Sequence, residues 1–239
     1  MQPILVFTAT YNEARNAPIW VKGVRAAAPE ADLLVIDDGS PDGTGQILDA
    51  LAADDPKLTI IHRTGKSGLA SAHLAAMNYA LENEYQVLVT MDADGSHLPA
   101  QIPNLLSALP ENDFVVGTRY GGGSHRAGSL RRLLSAAANG LARAVLPTGL
   151  SEYTTSFRAF DRRALEELVS ATFTTGGYAF FVECIEILHS ARMRMTETPI
   201  DFVDRAHGSS KIPKSQVLMS MKALASMGVR RRNPRVRSD

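Results

Sequence analysis

Between residues 4 and 119, short segments rich in Val, Ile and Leu alternate with segments of helical spacing. The apolar segments are "ILVFTA" (4 to 9), "DLLVIDD" (32 to 38), "LTIIH" (58 to 62), "QVLVTMD" (86 to 92) and "DFVVGTR" (113 to 119). Between them lie "APIWVKGVRAAAP" (17 to 29), "GTGQILDALAAD" (43 to 54), "GLASAHLAAMNYALEN" (68 to 83) and a helix near 99 to 109. Few architectures satisfy this order. Continuous β-branched runs without polar alternation require burial on both faces, and helices between them supply the crossovers. The expectation is an α/β fold with a mostly parallel central sheet flanked by helices.

The second half alternates less regularly. Helices are expected over 129 to 146, 162 to 170, 178 to 193 and 214 to 229. "SFRAF" (156 to 160) reads as a short strand, and "RMTETPIDFVD" (194 to 204) alternates as an edge strand does. No repeat and no low-complexity linker interrupts the chain.

Composition then narrows the class. Hydrophobic residues make up 45% of the 239, enough for a sizeable core. The 25 basic and 25 acidic residues cancel, so bulk charge points to no nucleic acid. Charge is uneven all the same: "RRRNPRVRSD" at 230 to 239 holds five arginines and one acid. Cys184 stands alone, which rules out an internal disulfide and suits a reducing compartment. The first ten residues lack a basic n-region, and no run is long enough to span a bilayer, so no signal peptide or transmembrane helix is expected.

Acids gather at the carboxyl ends of the expected strands: Glu13, Asp37, Asp38, Asp92 and Asp94. Ligands of parallel sheets bind beyond those ends. Two carboxylates spaced i, i+2 at a strand tip converge on one hard divalent cation such as Mg²⁺ or Mn²⁺, which keeps waters and takes up substrate phosphates. Two decoys fail. "DDGSPDGTGQILD" places Asp38, Ser40, Asp42, Gly43 and Asp49 near EF-hand offsets, but a strand precedes it and Asp stands at the last ligand position. "TGKSG" (64 to 68) resembles the end of a P-loop, but Ile60 stands where the first glycine belongs. No G-x-G-x-x-G follows the first strand, which disfavours a dinucleotide enzyme.

The order of motifs carries more than any one of them. "TATYNEARN", "VIDDGSPDGTG", "HRTGKSGLASA", "TMDADGSHLP", "VVGTRYGGG", "LRRLLSAAAN", "TTSFRAF" and "DFVDRAHGSSK" follow one another. This succession, from about residue 4 to about 212, resembles the family-2 glycosyltransferases of GT-A fold. Within them it is similar to the polyprenol (dolichol) monophosphate mannose synthases.

The resemblance implies roles by position. Thr10, Tyr11, Asn12 and Glu13 fall in the first nucleotide-contact loop, Asp37 and Asp38 address base and ribose, and Lys66 lies in a loop closing over the nucleotide. Asp92, Ala93 and Asp94 form the D-x-D segment, with Asp92, Asp94 and Ser96 as the implied metal set. Arg119, Arg131, Ser135, Arg205 and Lys211 match positions for phosphate and acceptor binding. Two departures stand out: Glu152 replaces an Asp, and Ser156 replaces a Gly, in "EYTTSFR".

The implied reaction is inverting transfer of mannose from GDP-mannose to a polyprenyl phosphate, assisted by Mg²⁺ or Mn²⁺. A related transferase using UDP-glucose or a soluble phosphorylated acceptor is the nearer alternative. A silent nucleotide-binding scaffold is the farther one. The implied organisation is a catalytic domain over 1 to 212 and, over 213 to 239, an amphipathic helix with a basic tail. Val217, Leu218, Met221, Leu224 and Ala225 give that helix an apolar stripe ahead of Arg230, Arg231, Arg232, Arg235 and Arg237. Such a segment lies on anionic lipid. The expected place is therefore the cytoplasm, peripheral on the cytoplasmic face of a membrane, with room for a membrane-embedded partner protein.

Overall fold

A computed structural model of the chain describes residues 2–125, 136 and 139–203. The element order is β1 (Ile4–Thr10), α1 (Ala17–Ala27), β2 (Asp32–Asp37), α2 (Thr44–Asp54), β3 (Leu58–His62), α3 (Leu69–Glu82), β4 (Val87–Thr90), α4 (Ile102–Ala108), β5 (Phe114–Thr118) and β6 (Ser124–His125). A helical stretch at 139–145, α5, follows. Then come β7 (Arg158–Asp161), α6 (Arg162–Ser170), α7 (Tyr178–Ser190), β8 (Met195–Pro199) and β9 (Asp201–Phe202).

Seven strands form one sheet in the order β3-β2-β1-β4-β7-β5-β8, while β6 and β9 pair as a short parallel ribbon. Only β7 runs antiparallel to its neighbours, β4 and β5. The expectation of a mostly parallel sheet holds, and β8 occupies an edge as its alternation predicts.

The continuous apolar runs are explained by burial on both faces. Successive side chains of a strand point to opposite sides. Leu5, Phe7, Leu34, Ile36, Leu88, Phe114 and Val116 pack with α3, α5, α6 and α7. Their chain neighbours Val6, Leu33, Val35, Val87, Val89 and Val115 pack with α1, α2 and α4. In α1 the buried Ala17, Trp20, Val21 and Val24 follow the i, i+3, i+4, i+7 spacing of one helical face.

Helix starts are set locally. Asp42 Oδ1 accepts from the Thr44 amide and hydroxyl ahead of α2. Asp161 Oδ1 accepts from the Ala164 amide and caps α6. Glu183, within α7, accepts from the amides and hydroxyls of Thr174 and Thr175 and ties down the loop before it.

Several strand limits differ from expectation, and the edge strand expected over 194 to 204 divides at Ile200 into β8, on the main sheet, and β9, which pairs with β6. β4 ends at Thr90 rather than at residue 92. The Met91 amide still donates to Phe7 O, but the Asp92 amide turns to the His97 ring, and Gly95 at φ +81° closes the loop. β7 begins at Arg158, two residues after the expected start, which leaves Ser156 and Phe157 in the segment leading into the strand. The helix expected over 129 to 146 is helical where it is described, at 136 and 139–145, while the helix expected over 214 to 229 and the domain limit at 212 fall outside the described residues.

Candidate active site

The sheet order places β2 and β3 on one side of β1, and β4 on the other. The chain runs from β1 outward through β2 to β3 and then returns across to β4, and the strand order reverses there, which opens a crevice at the carboxyl ends of β1 and β4. The candidate residues of the first half gather along this rim, Thr10 and Asp37 as the last residues of β1 and β2 and the others on the loops following β1 to β4.

On the β1–β2 side, Asp37 is 2% exposed and its carboxylate is well occupied. Oδ1 accepts from Thr10 Oγ1 at 2.7 Å and Ser40 Oγ at 2.6 Å, and Oδ2 accepts from the Ser40 amide at 2.9 Å. The Asn12 amide donates to Ser40 Oγ, and the Glu13 amide to Thr44 Oγ1. The loop 11–13 is thus stitched to the loop 40–44, with Asn12 in the left-handed region at φ +58°. Glu13 in turn receives the Asn16 side-chain amide at 2.6 Å.

Asp38 pairs with Arg63 Nη1 at 2.9 Å. Burial raises its pKa, and the Arg63 guanidinium offsets that only in part. Arg63 also donates to Ser71 Oγ. Lys66 Nζ stands 4.8 Å from the centroid of the Tyr11 ring, so the loop after β3 leans over the loop after β1. Arg63 was not anticipated from the sequence, although a basic residue directly after the strand "LTIIH" was a usable signal.

Across the crevice stand Asp92, Ala93, Asp94 and Ser96. Ser156 Oγ donates to Asp92 Oδ1 at 2.6 Å, and the Asp92 side chain is 42% exposed. Asp94 is 5% exposed, and its Oδ1 accepts from the Ser96 amide at 3.0 Å and the Ser96 hydroxyl at 2.5 Å. Ser96, itself wholly buried, thus turns its oxygen onto Asp94.

Beneath the loop, His97 Nδ1 accepts the Asp92 amide at 3.0 Å, so the ring proton sits on Nε2 and reaches Thr155 Oγ1 at 3.1 Å. Burial lowers the His97 pKa, and the charges of Asp92 and Asp94 oppose this without reversing it. The ring is neutral. Sequence reasoning passed over His97, whose position just after the D-x-D segment was the only hint.

Arg119, at the end of β5, lies on the same wall. Its Nε and Nη2 both sit 2.7 Å from Glu152 Oε2. Its guanidinium carbon lies 4.9 Å from the centroid of Phe202, and Phe202 packs edge-on against His97 at 5.4 Å. The other Glu152 oxygen accepts from Asn139 Nδ2, from the amide and hydroxyl of Thr154 and from the Thr155 amide. Burial pushes the Glu152 pKa up, but Arg119 and the Thr154 donors outweigh it, and the net direction is down. Arg131, Ser135, Arg205 and Lys211 lie outside the described residues.

Among the described residues no group of three or more His, Cys, Asp and Glu side chains converges as a metal cage. The donor set at the crevice still suits a hard cation of the Mg²⁺ type. It offers carboxylate oxygens on one short loop, one of them on a partly exposed side chain, and leaves other positions to water and phosphate.

A model of glycosyl transferase family 2 matches residues 5–169. Over 99% of this chain and 91% of its own length, the polyprenol monophosphomannose synthase of Mycolicibacterium smegmatis is 40% identical. The undecaprenyl-phosphate mannosyltransferase of Micrococcus luteus is also 40% identical, over 87% of each chain. Among solved structures, glucosyl-3-phosphoglycerate synthase from Mycobacterium tuberculosis, bound to Mn²⁺, UDP and phosphoglyceric acid, superposes with TM-score 0.70 at 16% identity. That match covers 95% of this chain and 78% of the other. A mannosyltransferase from Pyrobaculum calidifontis, in complex with GDP-Man and Mn²⁺, gives TM-score 0.62 at 18% identity over 97% and 76% of the two chains.

Proposed function

The chain belongs to glycosyl transferase family 2 and has its GT-A fold, and from that premise we propose that it is an inverting transferase moving mannose from GDP-mannose to a polyprenyl phosphate. The observation that carries the reading is the D-x-D pair at the crevice, each acid fixed by a serine hydroxyl, in a chain 40% identical to two prenyl-phosphate mannosyltransferases.

In this reading the loops after β1, β2 and β3 hold the nucleotide. Tyr11, Asp38 and Lys66 face it, while Asp37 serves chiefly to lock Thr10 and Ser40. Asp92 and Asp94 would hold a Mg²⁺ or Mn²⁺ ion, and Ser96 orients Asp94 for that purpose. When bound, such an ion supplies positive charge against the diphosphate as the glycosidic bond breaks.

The acceptor side accords with a phosphate nucleophile. A phosphate monoester has a second pKa of about 6 and is largely dianionic at neutral pH, so it needs no general base. Glu152, fully buried beside Arg119, is saturated by donors and does not serve as a base. Arg119 stands as a fixed charge on this wall with Glu152 setting its direction. Arg131, Ser135, Arg205 and Lys211 are assigned to phosphate and acceptor binding on the strength of their motifs.

No helix among the described residues is long and apolar enough to cross a membrane. In this reading a polyprenyl phosphate is reached from the bilayer surface. The apolar positions of 217 to 225 and the five arginines of 230 to 237 supply that contact in this reading, on the cytoplasmic face.

The test is a donor-by-acceptor transfer assay. Radiolabelled GDP-mannose and UDP-glucose are each offered to polyprenyl phosphate and to a soluble phosphorylated acceptor, with Mn²⁺. Label is expected in lipid from GDP-mannose alone. Transfer confined to UDP-glucose or to the soluble acceptor would move the chain to the related transferases instead.

A further inference from the structure

Ser156 stands where the resembling family carries glycine, and its surroundings give the hydroxyl a task. The antiparallel pairing of β4 with β7 sets Thr90 opposite Arg158 and Val89 opposite Ala159. Continued by two residues, that register brings Ser156 across from Asp92. Two side-chain bonds lock the juxtaposition: Thr90 Oγ1 donates to Ser156 O at 2.5 Å, and Ser156 Oγ donates to Asp92 Oδ1 at 2.6 Å.

The serine is itself held rigidly. It is 4% exposed, the segment before it is anchored through Arg158, and Phe157 after it accepts the Gly117 amide. Arg158 is wholly buried and donates from Nε to Thr155 O, from Nη2 to Tyr153 O and from Nη1 to Phe181 O. On the other side His97 accepts the Asp92 amide. Asp92 is thus fixed by its backbone and by one carboxylate oxygen, while its side chain stays 42% exposed to the crevice.

A carboxylate with one oxygen committed to a protein donor offers a cation the other oxygen. That arrangement suits Mg²⁺ and Mn²⁺, which take near-octahedral single-oxygen contacts. It disfavours Ca²⁺, which accepts more oxygens and readily takes both from one carboxylate. We propose that Ser156 is a positioning residue that restricts Asp92 to single-oxygen ligation and so tunes the site for a small octahedral cation over Ca²⁺. The inference rests on the metal-dependent donor site proposed above.

Mn²⁺ binding to the full chain with GDP is followed by electron paramagnetic resonance, with Ca²⁺ as competitor, for wild type, Ser156→Ala and Ser156→Gly. Thermal melting confirms that each variant is folded, and two replacements guard against one failing. The ratio of Mn²⁺ to Ca²⁺ affinity is expected to fall about tenfold in the variants, the equivalent of one charge-assisted hydrogen bond. A merely structural serine would weaken both ions alike and leave the ratio within about twofold, which overturns the assignment of Ser156 alone. Failure of wild type to bind Mn²⁺ with GDP overturns the donor-site reading itself, and this inference with it.

Discussion

Both Nε and Nη2 of Arg119 lie 2.7 Å from a single oxygen of Glu152, and the two side chains are 8% and 0% exposed. The pair joins the end of β5 to the segment before β7. It converts a family departure, Glu for Asp, into the anchor of a cation at the candidate acceptor wall. Breaking a buried pair by removing one partner strands the other charge in a low-dielectric setting. Glu152→Ala is therefore expected to destabilise the protein by about 3 kcal/mol and to depress transfer. Denaturant unfolding measures the first. A stability change near zero contradicts the assignment.

Asp94 accepts the Ser96 amide and hydroxyl within one tight loop at the tip of β4, and itself lies outside the two apolar clusters that hold the sheet. Asp94→Ala should retain the wild-type circular dichroism spectrum and lose transfer by at least about two orders of magnitude, the scale for removing a charge-stabilising group. EDTA should stop the wild type as well. Turnover that persists in EDTA would defeat the metal-assisted mechanism.

His73 offers a pH test away from the site. It is buried among Phe7, Phe180 and Phe181. Burial first, and then the charge of Arg158, bring its pKa down from 6.5 to about 3. Between those values the unfolded chain binds a proton that the folded chain does not. Stability contributed by the neutral ring is present above pH 6.5 and is lost as pH falls toward about 3. The slope approaches about 1.4 kcal/mol per pH unit. Denaturation midpoints between pH 7 and 4.5 should fall more steeply for wild type than for His73→Leu. Parallel curves would remove His73 from the acid response.

Among the described residues no carboxylate forms an ion pair with Arg158; it donates to three backbone carbonyls and lies over the rings of Phe181 and Phe114. Its burial lowers its pKa to about 10, still leaving it charged at neutral pH. Arg158→Met orphans those carbonyls and is expected to cost about 2–4 kcal/mol. Amide exchange should quicken across 153–157 before it does in β1 or β2. Uniform exchange throughout the sheet would show that Arg158 does not hold that segment.

The basic tail carries a prediction drawn from sequence alone. Removing residues 230 to 239 deletes five arginines, each contributing about 1 kcal/mol near an anionic surface. Co-sedimentation with anionic liposomes at low salt should weaken, and the KM for lipid acceptor should rise while that for GDP-mannose holds. Unchanged co-sedimentation removes the tail from membrane contact.

The β1-to-β5 order, the nearly all-parallel sheet and the acids at strand ends were legible residue by residue, because they depend on local periodicity and composition. A strand buried on both faces must be continuously apolar, and a catalytic carboxylate placed at its tip breaks that run visibly. The D-x-D segment stood out at a strand tip, and the roles expected of Tyr11, Asp38 and Lys66 came from the family resemblance that the order of motifs carries. What the linear pattern does not hold is which distant residues meet. The antiparallel insertion of β7 between β4 and β5 brings Ser156 to Asp92 across 64 positions. The same insertion brings Glu152 to Arg119 across 33. Neither pairing leaves a periodic mark, because a hydrogen bond between remote side chains depends on strand register and not on neighbouring residues. Tertiary packing alone turned two departures from a motif into the supports of its acids and its cation.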